Sequence, residues 1–170
     1  KMLPAPIDSF GVEPGSGPRH MDFHPNGRFA YVTAELTSTV SALSVEPDTG
    51  RLTLLQTISA LPADFHEWNT LADIHVSPDG RFVYASNRGH DSIVIYQIDP
   101  ETGTLACVGY QSVLGKIPRN FVIDPSGRLL LVANQDTDTV VGFHIDPDTG
   151  LLTPTGHVLD VPTPTCLKLL

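Results

Sequence analysis

Hydrophobic positions in this chain fall in short alternating runs cut by Gly, Pro, Asn and Asp, and no stretch carries a helical period. Arg19–Phe23 ends at a Pro-Asn-Gly turn that leads into Phe29-Ala30-Tyr31-Val32-Thr33. Thr39–Val45 then alternates at period two, and Leu52–Ile58 follows a Pro-Asp-Thr-Gly turn. The same order of four strands returns at Ile74–Val76, Phe82–Ser86, Ser92–Ile98 and Thr104–Tyr110. It returns again at Phe121–Ile123, Leu129–Ala133, Thr139–Ile145 and Leu151–Val158. The glycines that close the later turn of each copy, Gly50, Gly103 and Gly150, are 53 and then 47 residues apart. The extra length of the first period falls within Ala60–Thr70, where Phe65-His66-Glu67-Trp68 interrupts a short link. Insertions in repeat proteins collect in loops on one face, often the working face.

Four antiparallel strands repeated at about fifty residues predict an all-β fold, a β-propeller built of four-stranded antiparallel blades. No Gly-His…Trp-Asp pair is present, so the WD40 pattern does not apply. A β-sandwich would not account for the repetition of whole four-strand units. The expected division is the end of a preceding blade and a connecting loop at 1–17, then a blade at 18–62 and an inserted loop at 63–71. Blades follow at 72–115 and 116–161, with the first strand of a further blade at 162–170. Propellers close with about four to eight blades, so three and a strand predict part of a larger ring. An open arc leaves strand edges unpaired and apolar faces bare. Completion is expected from further sequence, a companion chain or self-association.

Composition narrows the partners. Ten Lys+Arg against nineteen Asp+Glu give a net charge of −9, which argues against nucleic acid. A few arginines in one cleft still suit a small anionic substrate. Cys107 and Cys166 have no metal-ligand or CxxC spacing and are expected as reduced, partly buried thiols. The first residues lack the apolar core of a signal peptide and no apolar run reaches membrane-spanning length, so a cytoplasmic protein without membrane contact is expected. No His/Asp/Glu spacing implies a metal site, and no Gly-rich phosphate loop or Gly-x-Ser-x-Gly elbow appears. Neither metal nor cofactor is expected.

The three copies act as one another's control. Pro25/Pro78/Pro125, Gly27/Gly80/Gly127 and Arg28/Arg81/Arg128 are the same in each copy and belong to the turn between the first two strands. Two columns differ. At the start of the first strand stand Arg19-His20, Ala72-Asp73, Arg119-Asn120 and Thr165-Cys166; just past the second strand stand Glu35, Arg88 and Gln135. In a blade the first strand lines the central channel, and the chain reverses before the second, so both columns face one mouth. Arg19, His20, Glu35, Asp73, Arg88, Arg119, Asn120 and Gln135 are therefore candidates to meet one ligand. His75, slightly deeper on its strand, is a candidate for the channel wall or the core. Any one pair, such as Arg88 with Glu35, also fits a structural link between blades. The full set of ionisable types is harder to explain that way.

Gly15-Ser16-Gly17-Pro18-Arg19-His20, Tyr31-Val32-Thr33-Ala34-Glu35-Leu36, Ala72-Asp73-Ile74-His75-Val76-Ser77-Pro78-Asp79-Gly80-Arg81 and Ala85-Ser86-Asn87-Arg88 resemble the lactonase family of seven-bladed β-propellers. That family includes propeller-type 6-phosphogluconolactonases and carboxymuconate-cyclising enzymes. The resemblance runs from about Gly15 to the end and implies a C-terminal portion of such a ring. It implies active-site positions at Arg19, Glu35 and Arg88. A further histidine comes from an earlier blade in the family and has no match in this sequence.

The expected activity is hydrolysis of a sugar lactone such as 6-phosphogluconolactone. Glu35 would act as general base or would orient His20 to do so. Arg88 or Arg19 would stabilise the oxyanion, and the other, with Arg119, would grip an anionic group. Asp73, His75, Asn120 and Gln135 complete the substrate-binding set. The alternatives are a propeller that binds a ligand or protein without catalysis and a lactone-forming cycloisomerase acting on a carboxymuconate.

Overall fold

The computed structural model describes residues 10–169 and contains three four-stranded antiparallel sheets. The first holds β1 (Pro18–Phe23), β2 (Phe29–Ala34), β3 (Thr39–Val45) and β4 (Leu52–Ser59) in that order. The second holds β5 (Thr70–Val76), β6 (Phe82–Arg88), β7 (Ser92–Ile98) and β8 (Leu105–Ser112). The third holds β9 (Pro118–Ile123), β10 (Leu129–Asn134), β11 (Thr139–Ile145) and β12 (Leu152–Asp160). One 3-10 turn, Gln135–Thr137, is the sole helical element among the described residues.

This is three propeller blades in a row, with β1, β5 and β9 side by side as the inner strands. The middle strands explain the continuous apolar runs of the sequence. Every residue of β2 and of β6 is buried; each lies between two strands of its own sheet, and β6 also lies between two sheets.

The core lies between blades rather than within one. Phe29, Tyr31, Val40 and Ala42 of the first blade pack against Ile74, Val83, Val94 and Tyr96 of the second. Phe82, Tyr84, Ile93 and Ile95 then pack against Phe121, Leu130, Val141 and Phe143 of the third. Burying each large apolar side chain contributes about 1.5–3 kcal/mol, so each blade is held chiefly by its neighbours.

Among the described residues, the outer faces of the first and third blades are open. Leu54 and Leu55 are exposed on the first blade, beside a hollow of about 220 Å³ lined in part by Phe10, Val32 and Ala34. On the third blade Leu129, Leu131, Val140, Val158 and Leu159 line an apolar hollow of about 550 Å³.

At the end opposite the mouth, the repeated turns form a latch. Gly103 and Gly150 close the Thr-Gly turns at φ 72° each, and a Cβ on either would collide with the ring of Phe29 or Phe82 of the preceding blade. Only glycine meets both demands. Tyr31 donates its hydroxyl to the Gly103 carbonyl at 3.1 Å, and Tyr84 donates to that of Gly150 at 2.9 Å. Arg28 and Arg81 lie over Phe29 and Phe82 and reach across to the carbonyls of Glu101, and of Pro147 and Asp148. Two of the three invariant arginines, Arg28 and Arg81, therefore join blades.

Three expectations change, and a fourth falls mostly outside the described residues. The inserted loop does not extend to 71: Thr70 and Leu71 already pair with Arg88 and Asn87 in β5. Residues 162–169 form no strand, since a first strand pairs with the second strand of its own blade, which these residues do not have beside them. Both cysteines are exposed rather than partly buried. The expected tail of an earlier strand falls on residues 1–9, outside the described residues, while 10–17 form a loop.

Candidate active site

Strict alternation would send Arg19 and His20 to opposite faces of β1. The register of each inner strand is broken at its mouth end, between Pro18 and Met21 on β1, between Leu71 and Ile74 on β5, and between Ala133 and Asn134 opposite β9. Such a bulge re-aims side chains, and each copy places its two divergent residues there. Arg19, His20, Arg119, Asn120 and Gln135 consequently share the wall of one cleft of about 600 Å³, together with Thr165 and Cys166. A second, deeper hollow of about 390 Å³ continues from Arg19 and His20 to Asp22, Asp73, His75 and Asn120.

Two ionic clusters organise this mouth. In the first, Glu35 accepts a hydrogen bond from Arg88 Nη2 and lies 3.6 Å from Arg19 Nε. Arg88 is buried and also donates to the Leu71 carbonyl at 2.8 Å, so it stands behind Glu35 rather than on the cleft wall. Arg19 donates Nη1 to the Ala72 carbonyl at 2.6 Å, crossing to the second blade. Burial and then the charge of Arg88 hold the Arg19 guanidinium below its ordinary value against the pull of Glu35, with Arg119 adding to the repulsion. Arg119 itself has no hydrogen bond or ion pair among the described residues.

The second cluster centres on Asp73, whose side chain is 4% exposed. Its Oδ1 lies 2.6 Å from His20 Nδ1 and accepts the Ile74 amide at 3.0 Å. Its Oδ2 is 3.3 Å from His75 Nε2 and accepts from Asn120 Nδ2 and the Phe121 amide. Burial alone would raise this carboxyl, but hydrogen bonds from His75, His20 and Phe121 outweigh it and hold it at about 2. Burial likewise opposes charge on His75, yet Asp73 and then Asp22, 3.8 Å away, raise it above its ordinary value. His75 lies on the wall of the deeper hollow, edge-on to Phe121, and is not a core residue.

The structure thus brings together Arg19, His20, Asp73, His75, Arg119, Asn120 and Gln135, with Glu35 and Arg88 behind Arg19. It corrects one pairing: the carboxylate that orients His20 is Asp73, not Glu35. Sequence reasoning passed over Asp22, whose Oδ2 accepts the Val76 amide at 2.8 Å and faces His75. Its position two residues beyond His20 on the same strand was the available signal. Among the described residues no group of three or more His, Cys, Asp and Glu is arranged to hold a metal ion. No helix among them is long and apolar enough to cross a membrane.

The model of a family described as Lactonase, 7-bladed beta-propeller matches residues 3–169. A 6-phosphogluconolactonase of Bacillus subtilis is 43% identical over 162 residues, covering 95% of this chain and 46% of that protein. The structure of a periplasmic gluconolactonase of Pseudomonas aeruginosa superposes with a TM-score of 0.88 at 41% identity, covering 94% of this chain and 44% of that one. A protein from Lactobacillus plantarum superposes with a TM-score of 0.88 at 34% identity, covering 92% and 46%. The chain spans less than half the length of each of these relatives.

Proposed function

The chain belongs to the lactonase family of seven-bladed β-propellers, and from that premise we propose that its mouth hydrolyses a sugar lactone, with 6-phosphogluconolactone as substrate. The observation that carries this reading is the side-by-side placement of a carboxylate-bonded imidazole, His20 on Asp73, and a guanidinium, Arg19, over one open cleft. Lactone opening needs both. A water attacks the ring carbonyl and gives its proton to His20, while the developing oxyanion is met by Arg19. Collapse of the tetrahedral intermediate breaks the bond from the carbonyl carbon to the ring oxygen. That oxygen takes the proton back from His20, leaving an open-chain hydroxy acid.

Glu35 and Arg88 then serve to hold Arg19, since both carboxylate oxygens of Glu35 are engaged by arginines. Arg119, on the wall of the same cleft and with no ion pair among the described residues, suits a phosphate, which a guanidinium grips in bidentate fashion. The named relatives include both a 6-phosphogluconolactonase and a gluconolactonase, and Arg119 favours the phosphorylated form here. The activity belongs to a ring in which further blades cover the open flanks of the first and third.

The test is the rate of 6-phosphogluconolactone opening by the assembled protein, spontaneous hydrolysis subtracted, beside His20→Gln. Loss of a general base is expected to cost about 10²–10⁴-fold in turnover, with binding of the open-chain product retained. A wild-type rate at background, or one that His20→Gln leaves unchanged, overturns the reading.

A further inference from the structure

We infer that Asp73 is the positioning residue of the whole mouth: from the second blade it fixes the tautomer of His20 on the first and the carboxamide of Asn120 on the third. The hydrogen-bond partners leave one consistent assignment. Arg19 Nη1, 3.3 Å from His20 Nε2, can only donate, so Nε2 must accept. The carboxylate of Asp73 can only accept, so His20 Nδ1 must carry the proton across its 2.6 Å contact. His20 is therefore locked with its lone pair on the atom that faces Arg19 and the cleft. A lone pair on Nδ1 would instead be buried against a carboxylate.

The same argument orients Asn120. Its Nδ2 donates to Asp73 Oδ2, and its Oδ1 accepts the Leu167 amide at 2.6 Å. The segment that brings Thr165 and Cys166 onto the cleft wall is thus tied, through one carboxamide, to the carboxylate that aims His20. Asp73 receives five donors in all, from His20, His75, Asn120 and the amides of Ile74 and Phe121. A carboxylate offers about four lone-pair sites, and an amide at this position would turn two donors toward them. Neither a hydroxyl nor an amide could replace it. Contacts to three blades also make the mouth depend on how the blades stand together.

The tautomer can be read without any assay of turnover, so its failure is separate from failure of the lactonase reading. In protein labelled with ¹⁵N-histidine, with His20→Gln to assign the signal, nitrogen shifts are expected to show wild-type His20 protonated at Nδ1. An Nε2-protonated His20 in the wild type overturns the inference, with no variant needed. In Asp73→Asn the signal is expected to shift toward the Nε2-protonated form, and an unchanged Nδ1–H form would overturn it as well. In Asn120→Ala, hydrogen exchange at the Leu167 amide is expected to speed at least tenfold while the His20 signal stays as in the wild type. Unchanged exchange there would refute the link to the tail. Where the lactone is turned over, Asp73→Asn should lower kcat by on the order of 10²-fold or more with little change in KM, as a misdirected imidazole does. A rise in KM at constant kcat would overturn the positioning role.

Discussion

The two ends of the blades hold the same fold by opposite means. At the turn end, Arg28/Arg81, Phe29/Phe82 and Tyr31/Tyr84 meet the Thr-Gly turn of the next blade in the same way at both joints. At the mouth, the equivalent positions of the three blades carry Arg19-His20, Ala72-Asp73 and Arg119-Asn120, and each contact between blades is made by a different pair. Repetition at one end joins the blades. Divergence at the other lets three unlike side chains converge on one cleft. The mouth is also fastened across blades, but through charged and polar groups whose burial costs free energy unless every partner is present.

The sharpest way to break this comparison is to damage the turn end alone. Phe82 is buried, lies under Arg81 and fills the space left by Gly150. Phe82→Ala is expected to cost about 3–5 kcal/mol of stability, the range for removing a buried ring, read from denaturant unfolding. The His20 nitrogen shifts should remain those of the wild type in the folded protein. A loss below about 1 kcal/mol would show that the latch does not bear the load assigned to it.

Acid tests the mouth. Asp73 is held at about 2 against an ordinary 3.8, so its contribution of about 2 kcal/mol is present above pH 3.8 and lost as pH falls through about 2. His75 shifts the other way, upward from 6.5. Its contribution is complete below pH 6.5 and disappears as pH rises through its raised folded-state value. Between about pH 4 and 6.5 both are in place. Asp99, Asp124 and Asp146 are also lowered, by hydrogen bonds within their turns. The measurement is therefore the difference between the wild type and Asp73→Asn in unfolding free energy from pH 6 to pH 2. That difference should shrink by about 2 kcal/mol across the range; a constant difference would place the acid sensitivity in the turns.

Most of the scaffold was legible because both edges of many strands are marked. Thr39–Val45, Ser92–Ile98 and Thr139–Ile145 were bounded by turn residues on each side and are found with those limits. The inner strands were read too short, at Ile74 instead of Thr70 and Phe121 instead of Pro118. Their mouth ends, Thr70-Leu71-Ala72-Asp73 and Pro118-Arg119-Asn120, mix apolar and polar residues around a break in register and leave no hydrophobic alternation to count. The divergent columns located the cleft. They could not say which carboxylate meets which base, because a bulge decides where neighbouring residues point, and no spacing rule registers one. His20 could thus be expected beside Glu35 when its partner is Asp73, one blade away.

The smallest effect asks whether the latch is one device used twice. Tyr31 and Tyr84 are buried, and each places its hydroxyl on a turn carbonyl of the next blade. Burial pushes the Tyr31 phenol well above its ordinary value, so it remains a donor throughout the working pH range. Tyr31→Phe keeps the ring and removes one hydrogen bond, leaving the Gly103 carbonyl without that donor; about 1 kcal/mol is expected. Tyr84→Phe should cost nearly the same, and the double variant should lose the sum to within about 0.5 kcal/mol, because the joints share no partner. The third blade supplies an internal contrast. Leu129 and Leu131 stand where the other copies have Phe and Tyr, on a flank with no described neighbour. Unequal losses at the two tyrosines would mean that matching residues do not ensure matching energetics. Equal losses would set Leu131 apart as the place where the repeat, and with it the manner of joining blades, changes.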